Sequence, residues 1–170
     1  MLKKVALAAL MAAVVSTSAE AGTQTGTFTV SATLNPTCTI DTTNGAYNFG
    51  TIGATNSTYQ NQGTSGQIEI NCSIGTPYTV SMASSHTTGG PVATGFNMIN
   101  GGQLMSYKLY PASFSNAAWD SSGVSANASG TGNAQAQRIY VLGEIPQQTP
   151  SGGIWNTGAF TDTVTATVNY

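Results

Sequence analysis

Charged side chains are scarce in this 170-residue sequence. Aspartate, glutamate, lysine and arginine together make up 6% of the residues, whereas an average globular protein has roughly 25%. With only four lysines and arginines, the chain lacks the basic surface that nucleic-acid binding requires. The composition therefore predicts a neutral, polar surface that does not bind nucleic acid.

Histidine and cysteine are also rare. The sequence has one histidine, His86, and two cysteines, Cys38 and Cys72. A zinc site needs more ligands than these three residues supply. A hydrolase built on the neighbouring Ser85 and His86 would need a third, orienting group, and no spacing nominates one. We predict no catalytic residue, no metal site, no cofactor and no small-molecule substrate.

No apolar run is long enough to cross a membrane as a helix. The longest stretch, Val5 to Val15, has 11 residues, and a spanning helix needs about 20. Lys3 and Lys4 precede this stretch, and the small-residue site Ala19-Glu20-Ala21 follows it. This pattern is typical of a secretory signal. We predict that residues 1–21 are a signal peptide cleaved after Ala21 and that the protein is exported.

Export has consequences for charge and for the cysteines. Removing two lysines and one glutamate with the signal leaves two cations (4 − 2) and five acids (6 − 1), a net charge of −3. Exported proteins meet an oxidising compartment, so Cys38 and Cys72 are predicted to form a disulfide, with two buried free thiols as the alternative.

A sustained apolar period of 3.6 residues is missing after the signal segment, whereas two-residue alternation recurs. Gly- and Pro-rich turns separate the alternating segments. The predicted strands lie at residues 37–40, 47–52, 67–72, 78–82, 105–109, 138–145 and 161–170. Residues 121–135, rich in Ser, Gly, Ala and Asn, predict an exposed loop, with a binding loop as the alternative. The pattern as a whole predicts an all-β sandwich.

The clearest alternation is TGTFTVSATL, residues 25–34. Four apolar side chains would share one face of this strand: Phe28, Val30, Ala32 and Leu34. Pro36 cannot donate a hydrogen bond to a sheet and separates the segment from the strand that carries Cys38. Two interpretations are open at this point. The segment is either an ordinary first strand of the sandwich or a strand that fills a groove in another molecule.

Several motifs occur in a fixed order along the chain. They are Thr37-Cys38-Thr39-Ile40, Phe49-Gly50, Ile70-Asn71-Cys72-Ser73, Tyr107-Lys108-Leu109-Tyr110 with Trp119 downstream, and the closing series Gly143 to Pro146, Gln147-Gln148, Gly158, Phe160, Asp162, Val164 and Tyr170. In this order, after the alternating segment, they resemble the spore coat protein U domain family, which includes the pilins of archaic (Csu-type) chaperone-usher pili. The sequence departs from the family pattern at Leu142, at Phe160 and at an apparent insertion, residues 154–157.

The resemblance implies an immunoglobulin-like β-sandwich that is incomplete because its last strand is missing. A donor strand from a neighbouring subunit would complete it. Residues 22–35 are then the N-terminal donor-strand extension, with Phe28, Val30, Ala32 and Leu34 as its buried side chains, and residues 36–170 are the pilin domain. Val164, Val168 and Tyr170 in the last strand are expected to anchor the chaperone.

The function implied by the resemblance is that of a structural pilin. The first choice is a shaft subunit that polymerises by donor-strand exchange and supports surface attachment and biofilm formation. The implied partners are neighbouring pilus subunits, a periplasmic chaperone and an outer-membrane usher, and the implied location is the periplasm and then the cell surface. Two alternatives stay open: a secreted spore-coat or matrix protein, and a carbohydrate-binding module with Trp119, Tyr107, Tyr110 and Trp155 as stacking platforms.

Overall fold

The computed structural model describes residues 22–53, 59–86, 90–92, 95–119, 124–150 and 152–170, with the backbone alone described for residues 59–65 and 124–127. The predicted signal peptide, residues 1–21, lies outside this part. The chain divides into two units, residues 1–33 and residues 34–170. None of the described residues belongs to a helix long and apolar enough to cross a membrane.

The second unit is built from β-strands, and its described residues contain no helix. Its strands are β1 (Cys38–Asp41), β2 (Tyr59–Cys72), β3 (Pro77–Ser84), β4 (Phe96–Asn100), β5 (Gln103–Pro111), β6 (Val124–Thr131), β7 (Gln137–Ile145) and β8 (Val164–Asn169). They form a five-stranded sheet in the order β1-β2-β7-β5-β4 and a three-stranded sheet in the order β6-β3-β8. The predicted all-β sandwich is confirmed.

Alternating apolar side chains on the facing sides of the two sheets form the core. Ile68 and Ile70 of β2 and Val80 of β3 are almost completely buried. Trp119 is 0% exposed and donates a hydrogen bond from Nε1 to the Val80 carbonyl oxygen at 3.0 Å. The sequence placed Trp119 in a loop, but its backbone also pairs with Leu109 of β5. Its ring therefore fills the interior and its one polar atom is satisfied.

Other strands also differ from the sequence prediction. Residues 47–52 are not a strand: Phe49 is buried and Ile52 half-buried, but Gly50 has a φ of 74°, which interrupts an extended backbone. Strand β2 begins at Tyr59, eight residues before the predicted start at Gln67, and its register against β7 shifts between Asn61 and Gly66. Strand β4 was not predicted.

The stretch predicted as an exposed loop, residues 121–135, contains strand β6 instead. Ala128 is 0% exposed. A Cβ atom at Gly130 would lie 2.6 Å from the Tyr78 hydroxyl oxygen, closer than atoms can approach. The composition that suggested a loop therefore belongs to a strand that pairs with β3.

The predicted disulfide between Cys38 and Cys72 is present. The two residues are direct cross-strand partners, at the start of β1 and the end of β2. Hydrogen bonds from Thr37 N to Ser73 Oγ (3.1 Å) and from Ser73 N to the Thr37 carbonyl oxygen (2.9 Å) reinforce the same point. The chain is thus firmly fastened where residues 22–36 lead into the domain.

We expect Cys38→Ala to lower the free energy of unfolding by roughly 3 kcal/mol, because a disulfide that closes a loop of this length restricts the unfolded chain by about that amount. The yield of exported protein should fall as well. Non-reducing mass spectrometry of the exported protein and urea denaturation measure the two effects. Two free thiols in the exported parent, or an equally stable variant, would contradict the prediction.

Candidate functional site

The N-terminal segment, residues 22–35, is not part of a β-strand. Residues 22–35 are described, and none of them belongs to a sheet. The side chains of Phe28, Val30 and Leu34 are 87%, 83% and 94% exposed, and Ala32 is also exposed. The interpretation as an ordinary first strand requires these side chains in the core of their own sandwich. Their exposure does not meet this requirement.

The domain has an open edge along β8. Among the described strands, β8 pairs only with β3, and β1 pairs only with β2. The inward-facing residues of β8 are Val164, Ala166 and Val168, and all three are half-buried. Their cross-strand partners on β3 are Ser84, which is half-buried, and Met82 and Val80, which are buried. The apolar face of β8 therefore lacks part of its cover.

A cleft continues from this edge between the connection that follows β1 and the segment that precedes β8. Its volume is about 640 Å³, and its walls include Tyr47, Phe49, Phe160 and Val164. A second cleft of about 580 Å³ shares the first three of these residues and extends to Trp155. The two clefts together give the open edge a floor that contains several aromatic and aliphatic side chains.

Aromatic rings shape this floor. The ring centroids of Tyr47 and Phe49 lie 4.9 Å apart in an edge-to-face arrangement, and those of Phe49 and Tyr107 lie 6.0 Å apart. Tyr47 accepts a hydrogen bond from Gly143 N at 2.8 Å. A Cβ atom at residue 143 would lie 2.4 Å from the Tyr47 ring. Glycine at position 143 therefore lets Tyr47 lie directly on β7.

A buried carboxylate marks the beginning of β8. The side chain of Asp162 is 2% exposed. It accepts hydrogen bonds from Ser84 Oγ (2.5 Å), Ser85 Oγ (2.6 Å) and the Tyr107 hydroxyl (2.6 Å). His86 Nδ1 lies 3.3 Å from the same carboxylate. Asp162 thus ties the start of β8 to the end of β3 and to β5.

These hydrogen bonds decide the charge of Asp162. Burial acts to raise its pKa, but the hydrogen bonds from Ser84, Ser85 and Tyr107 hold the pKa below its usual value. Burial, together with the hydrogen bond to Asp162, raises the pKa of the Tyr107 hydroxyl. Asp162 is therefore an anion and Tyr107 a neutral donor at physiological pH. The sequence did not reveal this cluster, because Asp162 lies 55 to 78 residues away from Tyr107, Ser85 and Ser84 in the chain.

Asp162 supplies the third group that sequence analysis did not find beside Ser85 and His86. The geometry nevertheless differs from that of a catalytic triad, in which the imidazole bridges serine and carboxylate through its two different nitrogens. Here Ser85 Oγ and Asp162 both contact the same nitrogen, Nδ1, at 3.0 and 3.3 Å. Ser85 also donates directly to Asp162. The imidazole cannot pass a proton between them in this arrangement, and the trio serves the structure.

The aromatic residues considered as sugar platforms are distributed differently from that hypothesis. Trp119 and Tyr107 are buried in the core and offer no ring face to solvent. Tyr110 and Trp155 are half-buried, and their rings pack edge-to-face against Phe114 and Phe160 respectively. Two of the four proposed platforms are therefore core residues, and the carbohydrate-binding alternative loses its main support.

Comparison with known protein families supports the resemblance that the order of motifs indicated. The profile of the Spore Coat Protein U domain matches residues 24–167. The chain belongs to the Spore Coat Protein U domain family. The matched range includes the exposed N-terminal segment, both cysteines and the start of β8.

Among solved structures, this family member is similar to the CsuC–CsuE chaperone–tip adhesion subunit pre-assembly complex from archaic chaperone-usher Csu pili of Acinetobacter baumannii. The sequence identity is 23% and the TM-score is 0.46, over 81% of this chain. The match spans 40% of the length of that chain. No curated protein is significantly similar to the sequence.

Proposed function

We propose that this Spore Coat Protein U domain protein is a structural subunit of a chaperone-usher pilus. Residues 25–34 of one copy enter the open edge along β8 of another copy. One observation supports the proposal above all. The same chain has a segment whose alternating apolar side chains are exposed and a sandwich whose edge strand β8 has apolar side chains that are only half-buried.

The segment and the edge suit each other in length and chemistry. Ten residues of strand extend about 33 Å, enough to run along the whole of β8, whose six residues extend about 20 Å. Strand addition obtains its affinity from backbone hydrogen bonds and its specificity from alternate side chains. Burying each large apolar side chain contributes about 1.5 to 3 kcal/mol. Phe28, Val30 and Leu34 together could therefore form a durable joint, with Ala32 between them.

The same arrangement produces a filament. The donor segment and the acceptor edge are different surfaces, so each subunit can donate at one place and accept at another. Such head-to-tail contacts do not close and give open fibres. This supports a shaft subunit. The disulfide at Cys38 and Cys72 lies where the donor segment meets the domain and would carry tension from one subunit to the next.

An open edge must be covered before assembly, because unpaired strand edges and apolar surface promote aggregation. A periplasmic chaperone is the proposed occupant, with Val164, Val168 and Tyr170 as its contacts on and beside β8. Tyr170 is 60% exposed and so is accessible to a partner. An outer-membrane usher would then receive the subunit, and the finished fibre would support attachment and biofilm formation at the cell surface.

Deleting residues 24–33 tests the proposal. Purified parent protein, expressed with its export pathway, should give fibres by electron microscopy, and the shortened protein should give none. The deletion removes no core side chain, so the parent and the shortened protein should have the same near-ultraviolet circular dichroism spectrum. Fibres from the shortened protein would overturn the proposal, as would a parent that never forms fibres.

A further inference from the structure

The sandwich has two opposite ends. The first, the disulfide end, comprises the Cys38–Cys72 disulfide and the turn at residues 73–76. The second, the hairpin end, comprises the β4–β5 turn at residues 100–103 together with residues 152–157. Strand β3 begins directly after the turn of the disulfide end, and β8 runs antiparallel to it. Strand β8 therefore finishes at the disulfide end and starts at the opposite one.

The disulfide end presents an aliphatic side chain to solvent. Ile74 is 80% exposed. Its turn is closed by a hydrogen bond from Thr76 N to the Ser73 carbonyl oxygen at 3.1 Å. Gly75 has a φ of 79°, which is typical of the third position of a type II turn, and its N–H donates to the Gly132 carbonyl oxygen at 2.9 Å. Ile74 is thus held at the outer corner of a fixed turn.

The hairpin end also presents an aliphatic side chain, Ile154, which is 79% exposed. The Gln103 amide holds the backbone on both sides of it. Its Nε2 donates to the Ile154 carbonyl oxygen at 2.8 Å, and its Oε1 accepts from Asn156 N at 2.7 Å. Asn100 Nδ2 donates to the Thr157 carbonyl oxygen at 3.2 Å. The apparent insertion in the sequence is therefore fastened to the β4–β5 turn, with its isoleucine in solvent.

The direction of the proposed donor strand determines which ends meet. Every ladder between the described strands is antiparallel, and antiparallel pairing is the more stable per residue. A donor strand antiparallel to β8 has its last apolar residue, Leu34, near the start of β8. This region borders the hairpin end, because Thr161 bridges to Ile99, which directly precedes the β4–β5 turn. The cleft that extends to Trp155 leads to the same end.

The short linker then brings two sandwiches together. Asn35 and Pro36 are the only residues between the donor strand and the start of the domain. From Leu34 to Thr37 there are three residue steps, which span at most about 11 Å. Thr37 is itself fixed to Ser73 by hydrogen bonds. The disulfide end of the donating subunit therefore lies directly against the hairpin end of the accepting subunit.

The chain's own segment cannot occupy its own edge in this direction. Its Thr37 belongs to the disulfide end, whereas Leu34 would have to lie at the hairpin end. The eight residues of β3, about 26 Å in length, separate the two ends, and the linker spans less than half of that distance. The partner at the hairpin end must therefore be a second copy of the chain.

We propose that the disulfide end of one subunit packs against the hairpin end of the subunit that accepts its donor strand, with Ile74 against Ile154. This inference rests on the proposed pilus function and adds a contact between folded domains to the exchanged strand. Residues 73–76, 100–103 and 152–157 include no charged residue, so the contact buries no unpaired charge. It fixes the angle between consecutive subunits and stiffens the fibre.

A cross-linking experiment tests the contact. Fibres of the double variant Ile74→Cys with Ile154→Cys are treated with a bismaleimide whose reach is about 11 Å, the span of the linker, and are then boiled in detergent. Gel electrophoresis should show a ladder of covalent oligomers that contains most of the subunits. Each single variant should give no ladder. The double variant Tyr140→Cys with Ile154→Cys is the matched control and should give none, because Tyr140 is exposed in the middle of β7, away from both ends.

Serine substitutions measure the effect on the fibre. Ile74→Ser and Ile154→Ser leave the donor segment and the core unchanged, so the number of fibres and the urea midpoint of the subunit should be those of the parent. Loss of one apolar contact should raise the open population of the joint about tenfold, and electron microscopy should show a shorter persistence length. The variant with both substitutions should bend no more than either single variant, because both remove the same contact.

The outcomes separate this contact from strand exchange. Fibres that give no ladder, or serine variants as stiff as the parent, would overturn the contact and leave the proposed pilus function intact. A parent that forms no fibres would overturn the pilus function, and the contact with it.

Discussion

The substitution Val30→Asp is expected to abolish fibre formation and to leave the single subunit folded. In the proposed fibre the aspartate would enter an apolar groove without a partner, and burying an unpaired carboxylate costs several kcal/mol or forces it to take up a proton. In the single subunit the Val30 side chain is 83% exposed. The change therefore removes nothing from the core.

Thr29→Asp is the matched control because Thr29 would point to the opposite side of the proposed donor strand. The introduced charge would face solvent, and the number of fibres should be nearly unchanged. Electron microscopy counts fibres, and immunoblotting of the periplasm measures the level of soluble subunit. Loss of both fibres and subunit would show that Val30 belongs to the subunit's own core. Loss of neither would show that residues 25–34 are not a donor strand.

The substitution Asp162→Ala is expected to lower the free energy of unfolding by roughly 3 to 5 kcal/mol. Hydrogen bonds to a charged group contribute about 1.5 to 3 kcal/mol each, and Asp162 accepts one from the buried Tyr107 and one from the half-buried Ser84. The Tyr107 hydroxyl would be left without its acceptor beneath the surface. Because Asp162 immediately precedes β8, the loss should also loosen the strand that borders the open edge.

Tyr107→Phe separates one of these bonds from the rest. It removes a single donor to Asp162 and keeps the ring in place, so it should cost only about 1 to 2 kcal/mol. Urea denaturation of the parent and both variants gives the two differences. Equal losses for the two variants would show that the tyrosine bond, and not the whole cluster, stabilises this region.

The hydrogen bonds of Asp162 also make the stability of the folded protein depend on pH in the acid range. The pKa of Asp162 is lower in the folded protein than in the unfolded chain, so its contribution is complete above the unfolded value of about 3.9 and is lost as the pH falls through the lower folded value. The parent should therefore lose stability steeply below about pH 4. Asp162→Ala should lose less over the same range, and the two curves should converge in acid.

Much of the architecture was predictable from local patterns. Two-residue alternation identified β3, β5, β7 and β8 because one side of each strand is buried against the other sheet. Two-residue alternation was a poor guide in two other parts of the chain. Strand β6 was missed because its small residues show no apolar alternation. Residues 47–52 form no strand, since Gly50 has a positive φ that interrupts an extended backbone.

The sequence by itself determined the strand pattern, the disulfide between Cys38 and Cys72, and the alternating apolar face of residues 25–34, because each depends on neighbouring residues or on the redox compartment. Only the tertiary structure decided that this face is exposed, that β8 has an open edge, and that Asp162 meets Ser84, Ser85 and Tyr107. It also decided that Ile74 and Ile154 lie at opposite ends of the sandwich. These facts depend on which strands become neighbours in the sheets. The order of the strands is set by contacts between residues far apart in the chain, and a local sequence pattern does not reveal such contacts.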